Sequence, residues 1–382
     1  MSAQLIPKTV LDKLDARRRA FLWTGEDKCH GSQCLLAWDR ACTSKECGGL
    51  GIKRLDDQNH CLLMKFIHKL HEPTQLPWKT WFHRHTAGGD DDSFLCRLVR
   101  EELPRYRDLT MVRIGNGEHT SFWHDKWALN GTLAETFPVL FSFCTNEDIT
   151  VCQAMATPLQ QQLRPRLSRI AEGERRSLGD CLAHVQLSHH ADTRFLPNFN
   201  NQPFSTKGAH LSIHVNDAQD PDALRFWNVK LPARVKFFGW LLHHQRLKTR
   251  ANLYAKNIRT FEESFCESCP GTLETDDHLF LHCPRASALW TKLSFAICDG
   301  AHRRPWTIGC VATLPNTVRT DVVLLLLWHI WKARNSKIFD HQDLSPTEVI
   351  RRAAHDLDLW SCRYKKHKTD VALWHAFLLS AT

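Results

Sequence analysis

No apolar run in this chain is long enough to cross a bilayer. The most apolar stretch, Val322 to Trp331, is about ten residues and reads as a buried helix. The first residues, Met1-Ser2-Ala3-Gln4-Leu5-Ile6-Pro7, lack the long apolar core of a secretory signal. An intracellular protein, nuclear or cytoplasmic, with no membrane partner is therefore expected. The 15 cysteines are an odd number and fit reduced thiols rather than a disulfide framework. The glycines of Gly48-Gly49-Leu50-Gly51 are followed by neither a Lys-Ser/Thr pair nor a Gly-x-Gly-x-x-Gly pattern, which excludes a phosphate loop and leaves a tight turn. The acidic triplet of Gly88-Gly89-Asp90-Asp91-Asp92 has no apolar strand leading into it. It reads as a solvated loop and a seam, not as a carboxylate pair aimed at two magnesium ions. Asp56-Asp57 and Asp276-Asp277 fail the same test.

What is present begins with charge. Over 382 residues the net charge is +9 and the apolar content 43%, so the chain should fold and favours a polyanionic partner. The bias is local. Between Leu224 and Phe261 there are nine Lys or Arg and no Asp or Glu. Val235, Phe238, Gly239 and Leu242 form the inner face of a helix here, and Thr249 can cap a second helix carrying Leu253. The cations must then lie around the rims of two short helices. Arg234, Lys236, Arg246, Lys248, Arg250 and Lys256 are the candidate nucleic-acid contacts, since one-sign charge beside Trp and Tyr suits phosphates and bases.

The sharpest chemical signal follows directly. Cys266-x2-Cys269-x8-His278-x4-Cys283 has the donor types and spacing of a four-coordinate zinc site, and four protein ligands leave no position for a reactive water. Pro270 and Gly271 allow the chain to turn round the metal. Pro284 bends it after Cys283, and Ala286, Leu289, Trp290, Leu293 and Ile297 then recur at helical spacing. His282 lies four residues after His278 and is the rival fourth ligand to Cys283. A second cysteine group, Cys29, Cys34, Cys42 and Cys47, is spaced too loosely for paired knuckles and reads as thiols without a metal.

These residues carry a resemblance. Phe226-Trp227, Pro232, Val235 to Leu241, Arg246 to Leu253, Cys266, Cys269, Glu274-Thr275, His278 to Phe280, Cys283 and Leu289-Trp290 resemble the zinc-binding domain downstream of the reverse transcriptase in plant LINE-type, non-LTR retrotransposons. His278 and Cys283 fall where that family places its third and fourth ligands. Phe21 to Trp23, Trp38-Asp39, Gly48 to Ile52, Asn59 and Lys65 look like the segment after the polymerase palm and fingers. Trp123, Asp125, Trp127 and Phe137-Pro138 continue the pattern, as do Trp328, Trp331, Arg334-Asn335 and Phe339 beyond the zinc module. The resemblance implies a module that holds template RNA or target DNA, without the polymerase and endonuclease centres of the parent. Some relatives carry an RNase H domain after this point; the tail Arg363 to Thr382 has neither the length nor the opening strand for one, so no enzyme activity is expected.

The remaining patterns fill in an architecture. Leu11, Leu14 and Phe21-Leu22 follow a helical period behind Thr9, a candidate cap, and Gly25 stops that helix. Arg17-Arg18-Arg19 reads as a solvated face. A helix is expected from Leu55 to Leu70, with Leu55, Leu62, Phe66 and Leu70 inward, and further helical segments over Leu159 to Ile170, Asp321 to Asp340 and Pro346 to Trp360. Val112 to Trp123 predicts a hairpin around Asn116-Gly117, with Trp123 in the core rather than stacked on unpaired bases. The fold class is mainly α with short β-hairpins and a small zinc-stabilised helical module near the C-terminal third. The expected segments are 1–87, a helical region; 88–203, a Trp-rich connector; 204–297, the zinc module; and 298–382, a helical tail. The function expected is a zinc- and nucleic-acid-binding module. Its alternative is a structural or protein-interaction remnant with structural zinc and no nucleic-acid role.

Overall fold

The computed structural model of the chain describes residues 4–72, 76–86, 94–310 and 313–382. Gly88 to Asp92 lie outside the described residues. The architecture is mainly helical, with short antiparallel strands only. No described helix is long and apolar enough to cross a membrane. Two compact units form: Met1–Asp15 with Lys53–Asp217, and Ala16–Ile52 with Ala218–Thr382.

In the first unit, helix Leu55–His71 packs against helices Phe94–Leu109 and Thr206–Ile213. Its inner face is Asn59, Cys61, Leu63, Met64, Ile67 and Leu70, while Leu62 and Phe66 are half-buried. Helix Lys8–Thr24 starts one residue before Thr9, with Pro7 O accepting from Val10 N, so Thr9 sits inside the first turn and is not its cap. Gly25 ends that helix at φ +76°.

The hairpin expected around Asn116-Gly117 does not form. Strand Met111–Arg113 pairs antiparallel with Thr193–Leu196, which in turn pairs with Gln202–Pro203. A single carboxylate explains the change of partner. Asp192 accepts from the N–H groups of Gly115 and Gly117 at 2.8 and 2.9 Å and from the Thr120 hydroxyl at 2.7 Å. It gathers the glycine turn into a loop against the returning strand. A Cβ on Gly115 would lie 2.1 Å from His190 O, so only glycine permits this approach. Trp123 is fully buried beside Phe122, as core material. The helix expected over Leu159 to Ile170 is also displaced. A 3₁₀ turn covers Leu159–Gln162, and the α-helix runs Arg169–Leu182, capped by Ser168 Oγ. Pro165 accounts for the break, because it disfavours helical geometry at Arg164.

The second unit is built round helix Arg319–Phe339. Val322 to Leu327 are buried on every side, as an all-round apolar helix must be. It packs against helices Ala233–His243 and Pro346–Leu359, and the latter also meets Lys368–Ser380. Close approach to Ala233–His243 depends on Gly239, where a Cβ would lie 2.6 Å from the Phe226 ring and 3.1 Å from Leu324. Val235, Phe238 and Leu242 share that buried face.

The first unit also holds a buried ion pair. Arg194 Nη2 lies 2.6 Å and Nη1 3.0 Å from the Asp125 carboxylate, which also accepts from Ser121 N at 2.7 Å. Burial alone would raise the Asp125 carboxyl, but Arg194 outweighs it and holds the group below the usual carboxylate range. Asp125→Ala would leave Arg194 buried and uncompensated. The expected cost is about 3–5 kcal/mol, read as a lower denaturation midpoint in urea; an unchanged midpoint contradicts the assignment.

Candidate metal centre

Two local structures bring the four donors together. Phe265–Cys266 and Cys269–Leu273 form a two-stranded hairpin in which Cys266 opposes Cys269 across Glu267-Ser268. Gly271, at φ +79°, follows in the region that Cβ-bearing residues avoid. The second pair comes from a single wide turn of π-type helix, His278–His282. Such turns hold an extra residue per turn and recur at functional sites. Cys283 follows it in an extended conformation and precedes helix Pro284–Lys292, whose first residue cannot donate a backbone hydrogen bond. The buried Leu279, Phe280 and Leu281 anchor the turn, and Trp290 donates its indole N–H to Phe280 O at 2.8 Å.

One donor atom from each of Cys266, Cys269, His278 and Cys283 lies within 4.8 Å of the others. The Cys269 and Cys283 sulfurs are 3.9 Å apart. His278 Nε2 is buried with no hydrogen-bond partner, the condition of an imidazole nitrogen reserved for a metal. His282 is not in this cluster; its Nε2 sits 2.9 Å from Asp299. The thiols share protons unevenly. The hydrogen bond to Cys283, then burial, push Cys266 up, while the same bond holds Cys283 below the usual thiol range. Burial also raises Cys269. Three sulfurs and one imidazole nitrogen suit zinc and fit the residues present. An ion bound there would displace the thiol protons, so its affinity rises with pH.

A carboxylate absent from the metal argument organises the surroundings. Glu274 is buried and holds Arg334 through contacts of 2.5 and 3.2 Å. It also accepts from Arg250 N at 2.9 Å, supplying a cap at the start of helix Arg250–Ala255. Thr249 occupies the cap position, but its side chain makes no capping bond. The sequence signal for Glu274 was its place in the shared pattern. Arg334 stood in the same pattern, but nothing in the sequence paired it with Glu274, sixty positions away.

The six candidate phosphate contacts divide. Arg250 donates to Phe265 O at 2.9 Å and pairs with Glu267. Lys236 Nζ donates to Trp227 O at 2.8 Å. Arg234 is exposed and lies over the Trp360 ring, 5.5 Å from its centre. Arg246, Lys248 and Lys256 instead line one groove of about 710 Å³, which Gly31 to Ala37 also line. Burial lowers Lys256, and Arg246 and Lys248 lower it further, which marks the three charges as neighbours. Cys29 and Cys34 lie on the same side, with sulfurs 3.3 Å apart. Neither they, Cys42 nor Cys47 joins a three-donor group among the described residues.

The family described as zinc-binding in reverse transcriptase matches residues 204–290. An Arabidopsis thaliana protein named as a ribonuclease H is 25% identical over 316 residues, which cover 77% of this chain and 49% of the relative. The chain thus spans about half of that relative's length. An uncharacterized mitochondrial protein of Arabidopsis thaliana is 30% identical over 147 residues, covering 35% of this chain and 92% of the relative. No solved structure matches the chain.

The ligand set has a direct test. After dialysis against metal-free buffer, elemental analysis is expected to find tightly held zinc in the wild type and in His282→Ala. Cys269→Ser should lose it, together with thermal stability of the module, because metal binding energy is folding energy in such sites. Zinc and melting temperature both retained in Cys269→Ser would reject the assignment.

Proposed function

The chain belongs to the reverse-transcriptase-related proteins of plant retrotransposons, and from that premise we propose that it is a nucleic-acid-binding module held together by zinc on Cys266, Cys269, His278 and Cys283. The ion is structural: four protein donors fill a tetrahedral shell and leave no place for an activated water. The observation that carries the binding role is the groove shared by Arg246, Lys248 and Lys256. None of the three forms a side-chain ion pair or hydrogen bond among the described residues. Cations whose charges are not spent inside the fold are what a polyphosphate strand requires, and displacement of its counterions supplies the driving force.

The module binds and does not cleave. The proposal gives this chain no reaction of its own, although one relative is named as a ribonuclease H. Cleavage of RNA by the purified protein, dependent on a divalent ion and abolished by no groove variant, would overturn that part. A second reading, zinc as a purely structural tie with no nucleic acid, draws on Arg250 and Lys236, whose side chains are bonded within the module. The two readings part at the groove.

Titration with labelled single-stranded RNA and DNA over a salt series separates them. The expected affinity falls as salt rises, with a log–log slope of roughly −2 for about three phosphate contacts. Reversing Arg246, Lys248 and Lys256 to Glu together should weaken binding by at least about tenfold at low salt and flatten the slope. Binding by that variant equal to the wild type, or none by either protein at low salt, leaves the structural reading.

A further inference from the structure

We propose a second metal site in the first unit, formed by Asp57, His210 and His214 and suited to a divalent ion of the zinc type. Asp57 lies in the first turn of helix Leu55–His71. His210 is on helix Thr206–Ile213, and His214 is its C-cap residue, four positions on. That spacing places two imidazoles on one helix face, opposite the carboxylate. One donor atom from each of the three lies within 4.8 Å of the others. The site is separate from the cysteine cluster in residues and donor types and does not rest on the nucleic-acid reading.

The hydrogen bonding argues for an ion. His214 Nε2 is 3.1 Å from Asp57 Oδ2, and its Nδ1 is 3.1 Å from Asp217 Oδ2. An imidazole between two carboxylates must present a positive partner, proton or metal, to each. With an ion bound, Asp217 would take the Nδ1–H, the arrangement by which an outer carboxylate fixes the tautomer of a metal-binding histidine. Nε2 is then directed at the metal-facing carboxylate. His210 supplies the third donor. Its Nε2 is buried without a hydrogen-bond partner, and its ring centre is 4.9 Å from that of His214. An ion satisfies the two imidazoles and the carboxylate at once.

Two imidazoles with one carboxylate select zinc, nickel or cobalt over magnesium or calcium, which prefer oxygen throughout. Three protein ligands leave a position for water, unlike the cysteine cluster. Asp57 and His214 are half-buried, so an ion has access from solvent. Bound there, it would tie the start of helix Leu55–His71 to the end of helix Thr206–Ile213, two helices that already pack together.

The test uses the full zinc-loaded chain, dialysed against micromolar free zinc and then analysed for metal. A second equivalent is expected in the wild type and absent from Asp57→Asn, His210→Gln and His214→Gln, each of which should keep the tightly held first equivalent. Cobalt added to the zinc-loaded chain should occupy this site without thiolate-to-metal charge-transfer absorption. A single equivalent in the wild type overturns the proposal, whatever the variants do. So does a second equivalent that persists in all three variants, which would place it on other histidines among the 23 in the chain.

Discussion

The Glu274 carboxylate is the junction on which the second unit's functional face depends. It is almost wholly buried, and its bonds reach two other elements. Arg334 comes from the central helix, and Arg250 N from the start of the basic helix, while Glu274 itself ends the cysteine hairpin. A buried charge is costly unless paired and bonded on several sides. Here that cost is offset only when all three elements are in place. The carboxylate therefore acts as a geometric condition. It fixes the hairpin relative to the central helix and sets where helix Arg250–Ala255 begins, and with it where Lys256 ends up.

The same junction sorts the cations. A run of positive charge without acids reads as a single surface in one dimension, but the fold uses its members differently. Arg250 is drawn to the hairpin by Phe265 O and Glu267. Lys236 satisfies the carbonyl of Trp227, and Arg234 stacks on Trp360. What remains is a compact triad facing one groove. Burial lowers Lys256, and repulsion from the exposed Arg246 and Lys248 lowers it further. Such an arrangement is a standing electrostatic debt that a polyanion would relieve.

Local patterns proved legible where one element sufficed to explain them. The all-apolar segment from Val322 became the buried helix, and Val235, Phe238, Gly239 and Leu242 became one inner face. The four donors converge because two turns, each encoded by its own short motif, meet. The readings that failed are those decided by distant residues. Asn116-Gly117 has ideal hairpin chemistry, yet Asp192 claims the amides of Gly115 and Gly117, and strand Thr193–Leu196 takes the place of the neighbouring one. Thr249 stands at a cap position whose bond is supplied by Glu274. Sequence periodicity carries no information on such pairings, since they depend on how whole elements dock.

The donor arrangement also shows where, in a unit with so large a core, a metal would add order that packing does not supply. His278 and Cys283 flank a turn whose Leu279, Phe280 and Leu281 are buried, so packing alone can position them. Cys266 and Cys269 belong to a two-stranded hairpin whose second strand is almost entirely exposed. A lone hairpin of that kind is marginal in water, because it buries too little apolar surface to offset the entropy of ordering it. Packing holds His278, Cys283 and the buried Cys266, while Cys269 stands on the exposed strand, where a bound ion would add the missing tie. The four donors thus lie at the boundary where the apolar core stops ordering the chain, and that boundary is also where Arg250, Glu267 and Lys337 with Ser268 add their bonds. Helix Arg250–Ala255 rests on this hairpin through Arg250 and Glu274, so the order of the basic groove depends on the order of the cysteine hairpin.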